Sequence, residues 1–149
     1  MSSLTGPVLP SLYQDIFRDV ADAMIFSDVD GVIRLWNPAA EAVFGYTASE
    51  AIGQSLDLII PESLREAHWR GYRQAMSRGA TVHGRRSSIT RSLHKSGQTL
   101  YVDMSFAVIR DETGKTIGSA AMARDATLRY TEEKRLRRQI AAASENAAK

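Results

Sequence analysis

The chain has 149 residues, of which 44% are apolar and 24% charged, and it contains no cysteine. This size and composition are typical of one soluble globular domain. The lack of cysteine excludes a disulfide framework, a cysteine-based zinc site, thiol catalysis and a photochemical cysteine adduct. No apolar run approaches the roughly 20 residues of a membrane span. The first ten residues lack the pattern of a signal peptide, so we expect a cytoplasmic protein.

The net charge of +2 conceals an uneven distribution along the chain. The stretch 62–95 holds eight basic and two acidic residues, a local charge of +6, which leaves −4 for the remainder. Two interpretations stay open: a solvated basic face, which such runs usually form, or a site for an anionic ligand or partner. The overall imbalance is too weak to predict direct nucleic-acid binding.

The N-terminal part of the sequence indicates an arm, a helix and a hairpin. Residues 1–11 contain one glycine and two prolines and predict a flexible arm. Apolar side chains recur at helical spacing between residues 12 and 21, which predicts an amphipathic helix. Two short apolar runs, 23–27 and 32–36, flank an Asp30-Gly31 turn and therefore predict a β-hairpin.

Helix caps divide the next stretch into several short helices. Asn37 is a natural N-cap before Pro38, and Gly45 lies just past the end of this helix. Thr47 with Glu50 predicts a capping box at a second short helix. Residues 56–60 add a single turn.

A longer helix follows. Ser63 with Glu66 predicts a capping box at its start, and Gly79 predicts its end. The helical spacing places His68 on the apolar face of this helix, together with Tyr72 and Met76. We therefore expect His68 to point toward the core.

The last third of the sequence predicts three strands and a helix. The stretch 81–93 is polar and basic and is a strand by context, with His83 near its start. Apolar residues alternate cleanly from 100 to 108, and the final strand, 115–124, has small residues at its centre. Such small side chains leave space that neighbours or a ligand must fill.

The C-terminal helix, residues 128–149, carries apolar residues at 4-3-4 spacing, namely Leu136, Ile140, Ala143 and Ala147. Charged residues flank this seam, as they do where helices pair in a coiled coil. The seam is only about two heptads long and half of it is alanine, so a frayed, solvated tail is the second interpretation.

With this order of elements in place, several motifs resemble the PAS family of sensor domains. They are Trp36-Asn37-Pro38-Ala39-Ala40-Glu41, Phe44-Gly45-Tyr46, Ile52-Gly53-Gln54, Ile60-Pro61-Glu62, Ser96-Gly97 and Arg124-Asp125-Ala126-Thr127. The resemblance implies an α+β PAS fold at residues 12–127, with helices on one face of a five-stranded antiparallel sheet around an internal cavity. It also implies an output or coiled-coil helix at 128–149, with Asp125 and Thr127 in the signal relay, a homodimer, and a downstream effector such as a histidine kinase, a cyclase or a DNA-binding regulator.

The longer helix resembles more narrowly the haem-binding PAS domains of oxygen-sensing histidine kinases. A histidine seven residues after the proline binds the haem iron there, and that position is His68 in this sequence. The resemblance implies a cofactor site that includes His68, Tyr72, Arg86, Ser88, Met104 and Ala121. The arginine that stabilises bound gas in those sensors is replaced here by Ser88. The occupant is thus haem or another small molecule.

Two functions from different classes follow. The first is a sensory module whose cavity holds haem or a metabolite. The second is a PAS domain used only for dimerisation, with a cavity filled by its own side chains. The sequence has no nucleophile–base pair, no carboxylate pair in a plausible site and no glycine-rich phosphate loop, so we expect no enzymatic activity.

Overall fold

The computed structural model describes residues 9–82 and 84–148, so His83 and most of the predicted arm lie outside the described residues. The strands are Ala23–Asp28 (β1), Ile33–Trp36 (β2), Ser88–Leu93 (β3), Thr99–Arg110 (β4) and Thr116–Asp125 (β5). The helices are Pro10–Asp19 (α1), Pro38–Phe44 (α2), Ala48–Ala51 (α3), Glu62–Arg78 (α4) and Thr127–Ala147 (α5), with a single 3-10 turn at Leu56–Ile59.

The five strands form one antiparallel sheet in the order β2-β1-β5-β4-β3. This arrangement confirms the predicted PAS fold. The alternating residues Val102 and Met104 of β4 and Ala121 and Ala123 of β5 are buried on its inner face. They form one core with apolar side chains of α2, α3, the 3-10 turn and α4, as expected for a sheet that buries one face.

Asn37 fixes the start of α2, as its sequence context predicts. Its Oδ1 accepts from the backbone N–H of Ala40 at 2.9 Å and of Met24 at 2.8 Å. Its Nδ2 donates to the backbone oxygens of Phe17 and Asp22 at 3.0 and 3.1 Å. One fully buried side chain thereby joins the end of α1, the start of β1 and the start of α2.

The predicted capping box at α3 is also present. The Thr47 hydroxyl accepts from the Glu50 backbone N–H, and the Glu50 carboxylate accepts from that of Thr47. The Glu50 carboxylate also receives Lys95 Nζ at 2.5 Å, across 45 positions of sequence. This contact ties α3 to the turn between β3 and β4.

Three predicted boundaries are wrong. Helix α1 begins at Pro10, because proline suits a first helical position. Helix α4 begins at Glu62 with Pro61 as N-cap, so Ser63 makes no cap. Strand β3 begins at Ser88 and not at residue 81, because its pairing with β4 starts at Met104. The far end of β4, from Ser105 to Arg110, therefore has no β3 partner.

Candidate ligand cavity

A cavity of about 480 Å³ lies between α4 and the inner face of the sheet. Its floor contains side chains of β4 and β5, including Met104, Phe106 and Ala121, and its wall includes Ala67, His68 and Gly71 of α4. Phe106 is 39% exposed although it lies in the sheet, because β3 does not cover this end of β4. The cavity is therefore open to solvent on this side.

His68 lies in the wall of this cavity, as its helical position predicts. Its ring contacts Trp69 edge-on, with centroids 4.8 Å apart, and Tyr72 at 5.8 Å. Its Nδ1 is buried and has no hydrogen-bond partner within the described part of the chain. Burial lowers the pKa of His68, and the nearby Asp57 carboxylate opposes this only in part. The imidazole is therefore held in its neutral form, which is the form that binds metal ions.

Trp69 holds this part of α4 against the rest of the fold, and the sequence patterns above did not single it out. Its Nε1 donates to Asp57 Oδ1 at 2.8 Å. Its ring lies over Gly31, where a Cβ atom would come within 2.2 Å of the ring. Gly31 has φ of +78°, so both the backbone and the space favour glycine.

Three buried hydroxyl groups join α4 to the sheet beside the cavity. The oxygens of Ser27 and Tyr72 are 2.9 Å apart, and those of Ser27 and Ser119 are 3.2 Å apart. Tyr72 also donates to the backbone oxygen of Asp28 at 2.5 Å. Tyr72 was a predicted site residue, but Ser27 and Ser119 were not, because a lone serine in a strand gives no pattern. Only the pairing of β1 with β5 brings them together.

The basic stretch is divided between the cavity and the protein surface. Arg78, Arg86 and Arg91 line the cavity, and none of the described residues lining it is acidic. None of these three forms an ion pair within residues 9–82 and 84–148. Arg65 instead donates to the backbone oxygen of Ile60. The cavity thus combines apolar walls with cationic groups.

All six predicted cofactor residues lie on this one cavity: His68, Tyr72, Arg86, Ser88, Met104 and Ala121. Ser88 and Met104 are directly paired across β3 and β4. His94 lies elsewhere, where its Nδ1 is 2.9 Å from Ser96 Oγ in the β3–β4 turn. The described residues contain no cluster of three or more side chains that could hold a metal ion.

The two predicted relay residues anchor the start of α5. Asp125 Oδ1 accepts from the backbone N–H of Thr127 at 2.9 Å. The Thr127 hydroxyl in turn accepts from the backbone N–H of Tyr101 on β4 at 3.0 Å. The Tyr101 ring stacks on Tyr130 of α5, with centroids 3.9 Å apart. The first turn of α5 is therefore attached to the strand that also forms the cavity floor.

Most of α5 has no partner within the described chain. Leu136 is 46% exposed and Ile140 67% exposed, and the helix buries no residue. Its seam is thus free to contact another molecule. None of the helices that the structure describes has the length and apolarity needed to cross a membrane.

Two of the known proteins that this chain resembles in sequence are sensor proteins. Oxygen sensor protein DosP of Escherichia coli is 30% identical over 141 residues, which cover 92% of this chain and 16% of DosP. Sensor protein FixL of Bradyrhizobium diazoefficiens is 42% identical over 55 residues, which cover 37% of this chain and 11% of FixL. The chain thus corresponds to a small part of these curated relatives.

Solved structures agree in fold. The PAS domain of a protein from Colwellia psychrerythraea superposes with a TM-score of 0.69 at 26% identity, covering 78% of this chain and 96% of that domain. An RNA-binding light-oxygen-voltage receptor superposes with a TM-score of 0.76 at 21% identity, covering 95% of this chain and 40% of the receptor. The PAS fold family model matches residues 11–126. With the sheet order and the helix arrangement described above, this match shows that the chain belongs to the PAS family of sensor domains.

Proposed function

We propose that this PAS domain is a sensor that binds a small molecule between α4 and the sheet and transmits its presence through α5. The observation that carries the proposal is the cavity of about 480 Å³ with His68 in its wall. Ligand cavities commonly measure about 300–1,000 Å³. A cavity of this size is not filled by the protein's own side chains, which favours sensing over the dimerisation-only alternative.

Strand β4 provides the route from the cavity to α5. Met104 lies in the cavity floor, and Tyr101, three residues earlier, contacts Thr127 and Tyr130. A ligand that shifts β4 changes the site at which α5 is anchored. A ligand biases such an equilibrium only by its different affinity for the two arrangements.

Haem is the specific candidate that the oxygen-sensor relatives favour. His68 would hold the iron through a neutral ring nitrogen, and Arg78, Arg86 and Arg91 would pair with the propionates. Bound haem would supply an iron that binds a diatomic gas. Nδ1 of His68 is buried and has no hydrogen-bond partner among the described residues. An unsatisfied buried nitrogen of this kind is consistent with a ligand that binds beside the ring. Ser88 at the expected arginine position argues for a gas response different from that of the relatives.

An absorption spectrum tests the haem candidate. We expect the purified chain, with haem added, to show a Soret band that His68→Ala abolishes. His94→Ala is the matched control, because His94 lies in the β3–β4 turn outside the cavity, and it should keep the band. A chain that binds no haem, or a band unchanged in His68→Ala, excludes haem at His68.

A metabolite screen separates sensing from the dimerisation-only alternative. A ligand that binds only the folded chain raises the thermal midpoint, by an amount that grows with ligand concentration. We expect at least one small molecule or haem to do so, and Ala121→Phe to weaken the effect by filling the cavity. A chain that no compound stabilises would favour the dimerisation module.

We further propose that the chain is not an enzyme and that α5 mediates a homodimer and connects to an effector. The exposed Leu136 and Ile140 support a seam that pairs helices. Light scattering with and without residues 128–149 tests this. We expect a dimer for the whole chain and a smaller species after truncation. A monomer in both cases would contradict the role given to α5.

A further inference from the structure

The chain of hydroxyl groups beside the cavity has three nearly buried members. Ser27 is 1% exposed, Ser119 is 6% exposed and Tyr72 is 8% exposed, and all three line the cavity. They belong to β1, β5 and α4, so the group forms where these elements meet. Its last contact is the bond from Tyr72 to the backbone oxygen of Asp28.

The Asp28 backbone oxygen determines which hydroxyl group donates in each hydrogen bond of this series. A carbonyl oxygen only accepts, so the single hydroxyl proton of Tyr72 goes to Asp28. Tyr72 must then accept from Ser27 over their 2.9 Å contact. Ser27 has no proton left and must accept from Ser119 over 3.2 Å. All three protons are used within the protein, so Ser119 offers the cavity only acceptor lone pairs.

A fourth buried hydroxyl group on the same sheet has the same polarity. Ser92 lines the cavity, is 2% exposed and donates its proton to the backbone oxygen of Ile59 at 2.6 Å. Its oxygen is therefore also an acceptor without a proton to give. The two buried serines thus supply acceptors on the sheet side of the cavity, whereas the three lining arginines supply donors elsewhere.

We propose that the cavity recognises its ligand through a hydrogen-bond donor, an O–H or N–H group on an apolar body, which Ser119 accepts. Met104, Phe106 and Ala121 supply the apolar floor against which the body packs. A buried acceptor left without a donor is costly, so Ser119 disfavours a ligand that places an acceptor or an apolar group against it, whatever the lining arginines bind elsewhere. The inference rests on the proposed sensing function of the cavity. It concerns an organic ligand, because a haem ring carries no O–H or N–H at its edge to meet Ser119.

Phenol and anisole test this selection, because they share a ring and only phenol has a donor. NMR titration of the nitrogen-15-labelled chain gives both dissociation constants. We expect phenol to bind about tenfold more tightly than anisole, from the value of one buried hydrogen bond. Burial of apolar surface alone favours anisole, so the two explanations predict opposite orders. Equal affinity, tighter anisole binding, or no binding of phenol would overturn the inference.

A matched pair of variants assigns the effect to Ser119. Ser119→Cys keeps the shape but replaces the oxygen by a weak acceptor, so the preference should fall to about twofold or less. Ser105→Cys places the same group on the outer face of β4 and should keep the preference. A preference unchanged in Ser119→Cys overturns the inference. If the cavity binds haem or a screened metabolite while phenol and anisole bind equally or not at all, this inference fails and the sensing function stands.

Discussion

Replacing Asn37 by alanine removes four hydrogen bonds at one buried position. Its Oδ1 accepts from two backbone N–H groups, and its Nδ2 donates to two backbone oxygens. Asn37 is fully buried, so water replaces none of these bonds without entering the core. With about 1 kcal/mol for each bond, Asn37→Ala should lower the free energy of unfolding by about 3–5 kcal/mol. That is a large part of a typical total of about 5–15 kcal/mol.

Urea unfolding followed by circular dichroism measures this loss. Thr47→Ala is the matched control, because it removes an exposed helix cap and should cost only about 1 kcal/mol. Asn37→Asp keeps the shape of the side chain and the two contacts in which Oδ1 accepts. It replaces the donating Nδ2 by a carboxylate oxygen that faces the backbone oxygens of Phe17 and Asp22. We expect it to cost at least as much as Asn37→Ala at neutral pH. If Asn37→Ala costs no more than Thr47→Ala, Asn37 is only a helix cap and the reasoning about its other bonds is wrong.

Three further predictions concern other contacts that hold elements of the fold together. Gly31→Ala forces a positive φ on alanine and displaces the Trp69 ring. It should lower the free energy of unfolding by about 2 kcal/mol or more, and an unchanged urea midpoint would contradict this. Hydrogen bonding from Lys95 lowers the pKa of Glu50 to about 2. The Lys95–Glu50 pair therefore stabilises the fold at pH values above the pKa of Glu50 in the unfolded chain, about 4.5. This contribution is lost as the pH falls from about 4.5 toward 2. Glu50→Gln should reduce the acid sensitivity in that window, measured by thermal melts, and an identical pH profile would count against the pair. Thr127→Val leaves a β4 amide without its acceptor and should speed hydrogen exchange at the start of α5, whereas unchanged exchange would argue against this anchor.

Much of the architecture could be predicted because it is encoded over short distances. The cap at Asn37, the box at Thr47 and Glu50, and the alternation along β4 each depend on neighbours within a few residues. These signals place the helices and strands in order, and His68 on the inner side of α4 follows from helical spacing alone. The predicted start of α4 is wrong because Ser63 fits a capping box in sequence, whereas the helix already begins at Glu62 with Pro61 as its N-cap.

The polar part of the cavity could not be predicted, because it depends on contacts between distant segments. Ser27 and Ser119 meet only through the pairing of β1 with β5, and Tyr72 reaches them from α4. Strand β3 is shorter than expected because β4 determines its length and its first residues lack a partner. That shortening leaves Phe106 uncovered, which opens the cavity. A pattern of polar and apolar residues carries no information on such pairings.

Native mass spectrometry of the protein isolated from the cells in which it naturally occurs tests the central claim most directly. We expect a small molecule bound to the wild-type chain and absent from Ala121→Phe, whose added ring occupies the cavity floor. Met122→Phe, one residue along β5 on the outer face, should retain the bound molecule. A wild-type chain with only its own mass, or a molecule that remains bound to Ala121→Phe, would contradict the claim that the cavity between α4 and the sheet is the ligand site.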